Sequence, residues 1–477
     1  MGIGGAPGPT RGDGWRNEPV GRTFRTPSKP ARGAAAGDGR VRGWMVPRWW
    51  GRNLTVVVAA RVAMSAGRAL AGVVTPIYLA LEGFSAFRLS AYVLAVAACS
   101  AVLSAVAGML SDRLGRKPLL VVMPLLTATA GMVFAFTASV PVLFLAGAVG
   151  SFGRGAGAGA GAVGPYQPAE SAFVTDILPA RHRNDAFGRL AFGSSLGATG
   201  GGLLALLVSA RHVHGTAATA AFRGAFLAIA AVSAFAGLIA LSLAEQPRRT
   251  RSLPATAKRR ALPSRSGWLL YRLWITNGLN GIGIGMFGPF VTYWFFRRYG
   301  VGAAQVGTLF AVINAATTVS ALSAAGLARR WGLVRTVAVV RTAQALLLVP
   351  MVLAPSFAAA GAVYLVRMLV QRIGMPLRQS YTTGLADPGE RGSIAALSNL
   401  PSQAAMAASP LLTGYLLDEV SLSLPFELAA AFQLANAVTF WSFFRRRPPD
   451  EERGEKPGRR DAASPAARAR GLPAARR

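Results

Sequence analysis

A cluster of charged side chains lies at residues 112–117, between two long apolar segments, in the sequence GMLSDRLGRKP. Its charged members are Asp112, Arg113, Arg116 and Lys117. An acid at the end of a helix can interact with the positive N-terminus of another helix, and bases can hold a turn against an anionic membrane surface. Gly108 and Gly115 would allow close helix packing and a tight turn. The cluster is either a latch that is engaged in one conformation or a static anchor that fixes the topology.

Ionisable residues also occur inside the apolar segments, where a charge is costly and usually serves a function. The candidates for a cavity or coupling site are Arg68, Arg154, Glu170, Asp176, Arg367 and Arg378. Arg61 lies seven residues before Arg68, on the same helical face, and could extend its side chain to the membrane surface. Arg68 lies too deep for that and could pair with Glu170 or Asp176.

The elements that must position these residues are membrane-spanning helices. Hydrophobic residues make up 52% of the chain and charged residues only 15%, whereas a soluble protein carries about 25% charged residues. Many apolar segments reach the roughly 20 residues that a bilayer-spanning helix needs. We predict about twelve spans, at 54–80, 88–110, 118–138, 141–177, 185–209, 222–244, 268–296, 303–327, 334–354, 357–385, 392–417 and 424–444.

The predicted spans fall into two groups of six. The predicted organisation is a disordered basic tail at 1–53, a six-helix bundle at 54–244, a cytoplasmic linker at 245–267, a second six-helix bundle at 268–444 and a disordered tail at 445–477. The two groups resemble each other, because Pro168 precedes Arg183 by the same interval as Pro376 precedes Arg391. Weak repeats of six spans are typical of secondary transporters.

The distribution of basic residues predicts the orientation. The formal net charge is +32, with the bases concentrated in both tails and in every second connecting loop. This pattern predicts that both termini are cytoplasmic and that the bases face an anionic inner leaflet. No separate basic domain is predicted, which argues against nucleic-acid binding. The excess of Ala, Gly and Arg suggests a GC-rich bacterial genome and hence the cytoplasmic membrane.

Several other classes of function lack the residues that they need. Cys99 is the only cysteine, and His182, His212 and His214 lie in loop-like stretches. We therefore predict no metal site and no enzyme, since no acid–histidine cluster is visible. The sequence contains no phosphate-binding G-x-x-x-x-G-K-[ST] loop of an ATP-driven pump. We expect no cofactor other than a proton gradient.

The charge cluster resembles the signature loop of the major facilitator superfamily, G-x-L-x-D-R-x-G-R-K/R. The residues that match are Gly108, Leu110, Asp112, Arg113, Gly115, Arg116 and Lys117. The loop also falls between the second and third predicted spans, as it does in that family, and the resemblance in span order covers about 54–444. It implies that Asp112 contacts the eleventh span, near Gly392 and Ser393.

Two further stretches resemble motifs of the same family. GSSLGATGGG at 193–202 is similar to its antiporter motif through Gly193, Gly197, Gly201 and Gly202, although Ala198 stands where the motif has proline. That motif is associated with exporters that exchange substrate for protons; the alternative is a close-packed face of small residues. Arg154 matches the arginine of the family's fourth span.

The resemblance implies a secondary active transporter of a small molecule that works by alternating access, as an exporter coupled to protons. Spans one, four, seven and ten would line its cavity, and Glu170 is the acid predicted to carry the proton. Glu170 would lie opposite Arg378 and form an inner gate, or each would have a partner in its own half. The excess of buried bases favours an anionic or neutral amphiphilic substrate. The alternatives are a uniporter or importer of an organic anion and a non-transporting sensor; a monomer is expected.

Overall fold

The chain is all-helical in the parts that the structure, a computed structural model, describes. These parts are residue 2 and residues 50–153, 164–208, 216–244, 267–320, 333–385, 394 and 397–445, without the side chains of 112–113, 180, 216–219, 319–320, 333 and 375–385. The helices are α1 (Arg52–Leu81), α2 (Ala86–Leu114), α3 (Lys117–Phe136), α4 (Val140–Val149), α5 (Tyr166–Ile177), α6 (Ala180–Leu204), α7 (Thr216–Ala240), α8 (Gly267–Phe287), α9 (Val291–Tyr299), α10 (Ala303–Ser320), α11 (Leu333–Leu346), α12 (Leu348–Leu353), α13 (Phe357–Leu385), α14 (Leu400–Glu419) and α15 (Leu424–Phe444). The predicted tails and linker lie almost wholly outside these ranges.

Local sequence explains where several helices begin and end. Ser85 caps α2, because its hydroxyl accepts a hydrogen bond from the backbone N–H of Arg88 at 3.2 Å. Gly115 ends α2 with a φ of 97°, which favours glycine. Gly300 ends α9 in the left-handed conformation, with a φ of 65°. The predicted end of span two at residue 110 was wrong by about one turn, since α2 continues to Leu114.

Seven helices of the described chain are long and apolar enough to cross a membrane. Three predicted spans are instead each built from two consecutive helices: 141–177 from α4 and α5, 268–296 from α8 and α9, and 334–354 from α11 and α12. Pro289 follows α8 and Pro350 lies in the first turn of α12, and proline lacks the N–H that continues a helical ladder. The total of twelve spans stays a prediction.

The helices pack in two groups within one compact unit, 48–477. In the first group, α1–α7, α1 packs on α6 and α7, and α3 packs on α7. In the second group, α8–α15, α8 packs on α14 and α15, and α11 packs on α15. An aromatic cluster stabilises each group, with Tyr78 against Phe226 at 5.0 Å in the first and Trp294 against Phe426 at 5.1 Å in the second.

The two ends of the bundle are distinguished by contacts between helix ends. We call the tail face the end at which α1 begins and α15 ends, and the far face the opposite end. At the tail face, Asn53 at the start of α1 donates to the carbonyl of Ala244 at 2.9 Å, just after α7. At the far face, the end of α14 contacts the start of α2 through Asp418 and Ala86.

Candidate functional site

A central cavity of about 530 Å³ lies between the two helix groups. Its walls come from α1, α2, α3, α5, α8, α10 and α14 and from the turn after α4. The polar residues that line it are Ser65, Ser100, Ser104, Thr127, Ser151, Gln167, Asn314 and Gln403. Arg68 is the one charged side chain among the described residues of the lining. Volume and lining are those of a site for a small organic molecule.

The end of α4 forms one wall of the cavity with an irregular backbone. Ser151 follows α4 with a φ of 52°, a left-handed conformation that is uncommon for a residue other than glycine. Thr127 donates a hydrogen bond to the carbonyl of Gly150 at 3.0 Å, and Tyr92 donates to the carbonyl of Phe152 at 2.8 Å. These bonds satisfy carbonyls that the interrupted helix leaves without an intrahelical donor. Broken helices at the centre of a bundle commonly form the binding site of a transporter.

The guanidinium of Arg68 lies next to Gly164, two residues before the start of α5. A Cβ atom added at Gly164 would lie 3.0 Å from one guanidinium nitrogen of Arg68 and 3.1 Å from the other. Gly164 also has a φ of 58°. A larger residue would crowd the guanidinium and strain the turn, so glycine at this position leaves room for Arg68 at the cavity wall.

Glu170 forms a buried ion pair with Arg61. A guanidinium nitrogen of Arg61 lies 2.6 Å from Oε2 of Glu170, and the two side chains are 7% and 0% exposed. The interpretation that Arg61 extends to the membrane surface was therefore wrong: the helix crossing turns it inward to neutralise Glu170. Among the described residues, Oε1 of Glu170 and the nearby hydroxyl of Tyr166 have no hydrogen-bond partner. Glu170 does not line the cavity described above.

Two candidates predicted for the cavity or coupling site lie outside the described residues. These are Arg154 and the side chain of Arg378. The hypothesis of a Glu170–Arg378 gate stays a prediction, with Glu170 paired to Arg61 in this conformation. Asp176 pairs with Arg116 at the tail face, at 2.7 Å between Nε and Oδ2.

The signature loop is described only in part. The side chains of Asp112 and Arg113 lie outside the description, as do Gly392 and Ser393. Gly115 forms the predicted tight turn, whereas a Cβ added at Gly108 would meet no described atom within 4 Å. Lys117 is half-buried and begins α3.

The glycine-rich stretch of α6 packs against the backbone of α1. Cβ atoms added at Gly197 and Gly201 would collide with the carbonyls of Val62 and Ala66. A Cβ added at Gly202 would lie 2.7 Å from the carbonyl of Gly307 on α10, in the other helix group. Gly193 is looser, at 3.2 Å from the side chain of Val62. The close-packed face is thus present, and it lies where the two groups meet.

Arg367 is buried in the second group rather than facing the cavity. Its guanidinium donates to the carbonyl of Gln344 at 3.2 Å and to the side-chain oxygen of Gln433 at 3.1 Å. It also lies 4.4 Å over the ring of Phe287. Amide oxygens and an aromatic face therefore stabilise the positive charge without an acid within the described contacts.

Sequence reasoning missed the cavity hydroxyls and Asp418. Ser100 and Ser151 are hydrogen-bonded across the cavity wall, and small hydroxyl residues in apolar segments give no distinctive signal. Asp418 binds the N-terminus of α2 from the other helix group. Its signal was present, since an acid at the end of a predicted span is unusual on the side that carries few bases.

The fold and the cavity define a multi-pass helical membrane protein built around a central site for a small molecule. The chain matches the family model for the Major Facilitator Superfamily over residues 57–400 and again over 273–474, and it belongs to that family. Membership makes it a transporter rather than an enzyme. A comparison with curated proteins found no match.

Solved structures with the same fold are distant in sequence. A bacterial homologue of the human lysosomal transporter Spinster, inward-facing and unoccupied, is 13% identical with a TM-score of 0.61, covering 83% of this chain and 95% of its own. The nucleoside transporter NupG is 13% identical with a TM-score of 0.61, covering 82% and 99%. A D-xylose–proton symporter is 15% identical with a TM-score of 0.61, covering 82% and 97%.

Proposed function

We propose that this protein is a secondary active transporter that moves a small molecule by alternating access, as a proton-coupled exporter. The observation that carries the proposal is the central cavity, whose lining comes from both helix groups. A site shared between two groups can be exposed to one side of the membrane and then the other when the groups rock against each other. The protein would act as a monomer in the cytoplasmic membrane.

The distribution of charge supports a cytoplasmic tail face. Among the described residues, the tail face carries Arg116, Lys117, Arg181 and Arg183 at the starts of α3 and α6. Basic residues in short loops face the cytoplasm. The contacts that join the two groups through Asp418 and Gly202 lie at the opposite face. A cavity closed on that side would load from the cytoplasm, as export requires.

The cavity chemistry supports an anionic or neutral amphiphilic substrate. Arg68 supplies the charge, and Gln167, Asn314 and Gln403 supply amide groups from both helix groups. A guanidinium binds a carboxylate or phosphate through two parallel hydrogen bonds. The apolar part of the substrate would contact Phe152, Phe310 and Met406.

The Arg61–Glu170 pair supports proton coupling through Glu170. It is a buried acid held by a single ion pair, with one carboxylate oxygen lacking a partner among the described residues. Protonation would abolish the attraction between Glu170 and Arg61 and so weaken this contact between α5 and α1. Such a step would link the proton to a rearrangement of α1 against α5.

The test is proton flux in sealed vesicles that contain the purified protein, under an imposed pH gradient. A panel of amphiphilic anions, neutral compounds and cations is added to wild type and to Glu170→Gln. We expect anions to evoke proton movement in wild type and none in the variant. The exposed acid Glu427 at the start of α15, in Glu427→Gln, is the control and should retain coupling.

Three outcomes would contradict the proposal. Substrate movement that is unchanged in Glu170→Gln would exclude Glu170 as the carrier and favour a uniporter of an organic anion. Movement of cations alone would exclude the proposed substrate class. No movement of any compound by folded protein would favour the non-transporting sensor. Arg61→Met/Glu170→Gln, which removes both charges, replaces the single variant if that variant does not fold.

A further inference from the structure

The first turn of α2 is completed by a residue of the other helix group. Asp418, near the end of α14, accepts hydrogen bonds from the backbone N–H groups of Ala86 and Phe87, one on each carboxylate oxygen and both at 2.8 Å. These two residues are 332 and 331 positions away in the chain. The bonds therefore join the two helix groups at the far face.

The N–H groups at the start of a helix have no intrahelical acceptor, and those of the first three residues of α2 are satisfied by side chains. Asp418 binds the first two. The hydroxyl of Ser85 accepts from the third, Arg88, at 3.2 Å, and the carbonyl of Ser85 accepts the first intrahelical bond, from Leu89, at 2.9 Å. Two of these three side-chain bonds thus come from α14 and one comes from the residue that precedes α2. The carboxylate also lies at the positive end of the helix dipole of α2.

The backbone around this contact permits close approach. A Cβ added at Gly414, one turn before Asp418, would lie 2.5 Å from the hydroxyl of Ser90 and 2.7 Å from the carbonyl of Ala86. The end of α14 therefore packs directly onto the first two turns of α2. This packing directs the carboxylate to the N-terminus of α2.

We propose that Asp418 is a positioning residue of the transport cycle, whose bond to the N-terminus of α2 latches the far face shut. The inference rests on the proposed alternating-access transport. When the far face opens, α14 must leave α2, and the N–H groups of Ala86 and Phe87 exchange a carboxylate for water. The carboxylate therefore stabilises the conformation in which the far face is closed relative to the one in which it is open.

The exposure of Asp418 to water determines how strongly its hydrogen bonds to α2 favour the closed far face over the open one. Asp418 is exposed, so water competes for both partners of each bond. Helix caps of this kind change an equilibrium by about 5- to 30-fold.

The experiment measures the distance between the groups at the far face. Cys99 is replaced by serine, spin labels are placed at the exposed positions Ala138 and Ser356, and pulsed electron resonance gives the distance distribution in lipid nanodiscs. Ala138 precedes α4 and Ser356 precedes α13. We expect Asp418→Asn, which keeps one acceptor oxygen but loses the charge and the second hydrogen bond, to raise the population with a longer distance about 2- to 10-fold relative to the shorter one.

Two matched variants distinguish a latch at Asp418 from a general effect of the substitution on folding. Glu419→Gln removes the neighbouring exposed acid and should leave the distribution unchanged. Asp418→Glu keeps the charge on a longer arm and should restore most of the shorter distance. If Asp418→Asn is unstable, Asp418→Ser is used, because its hydroxyl also keeps one acceptor without the charge and should give a similar shift.

Two results would contradict the proposal that Asp418 latches the far face. One is a distribution in Asp418→Asn that superimposes on wild type; the other is an equal change in Glu419→Gln. The distances require no substrate, so a failure of the latch leaves the transport proposal standing. Conversely, a protein that moves no compound can still show the predicted shift.

Discussion

The effect of substitutions in the Arg61–Glu170 pair on stability should depend on whether one charge or both are removed. Both side chains are almost fully buried, at 7% and 0% exposure. Removing Arg61 leaves the Glu170 carboxylate buried without its ion-pair partner, which costs about 3–5 kcal/mol. We therefore expect Arg61→Met to lower the free energy of unfolding by about that amount, and Glu170→Met to lower it because the buried guanidinium of Arg61 loses this ion pair. The double variant should cost far less than the sum, since apolar groups then replace both charges.

The comparison is made by reversible unfolding in mixed micelles with increasing dodecyl sulfate, followed by circular dichroism. The pair between Arg116 and Asp176 is the internal control, because the Asp176 side chain is 56% exposed. An exposed pair is worth about 0–1 kcal/mol. Arg116→Gln and Asp176→Asn should accordingly stay within about 1 kcal/mol of wild type. Single variants of the buried pair that cost no more than this control, or a double variant whose cost equals the sum, would refute the reasoning.

Three further predictions follow from close contacts at the cavity and between the groups. Gly201→Leu should greatly reduce the yield of folded protein, because the added side chain would meet the backbone of Ala66. Gly200→Leu, with no described atom within 4 Å of the added Cβ, should fold, and size-exclusion profiles of the two variants compare their yields of folded protein. Tyr92→Phe should lower the free energy of unfolding by about 1–3 kcal/mol in the same micelle assay, since it removes the hydrogen bond to the carbonyl of Phe152; no loss would mean that water replaces the hydroxyl. Asp112→Asn should shift the distance distribution at the far face in the direction opposite to Asp418→Asn, if the signature loop acts as a latch at the tail face; a shift in the same direction would contradict that role.

The described helices follow the predicted apolar segments, because length and hydrophobicity are local properties of the sequence. Span one was predicted at 54–80, and α1 covers Arg52–Leu81. Span twelve was predicted at 424–444, and α15 covers Leu424–Phe444. Where the predicted boundaries differ from the helix ends, local chemistry explains the difference. Gly115 ends α2 at a point beyond the predicted end at residue 110, and the left-handed turn after Gly150 divides span four.

The residue types of the candidate site could be predicted from the sequence, but which charged residues pair with each other could be predicted only in part. Arg68 and Glu170 were identified because a charge inside an apolar segment is rare. The partner of Glu170, however, is Arg61 on another helix, and which charges meet depends on the rotation and crossing of α1 and α5. The predicted partner Arg378 carries the same charge and also lies in a predicted span, so no pattern in one sequence distinguishes the two.

The sequence by itself determined the class of the protein, its family and the place of the signature loop, because hydrophobic length, turn residues and motif spacing are carried by short stretches. The tertiary structure alone decided which groups share the cavity, that Arg61 is buried with Glu170, and that Asp418 completes a helix more than three hundred residues away. The physical reason is that these contacts join residues far apart in the chain and exist only once the helices have packed against one another.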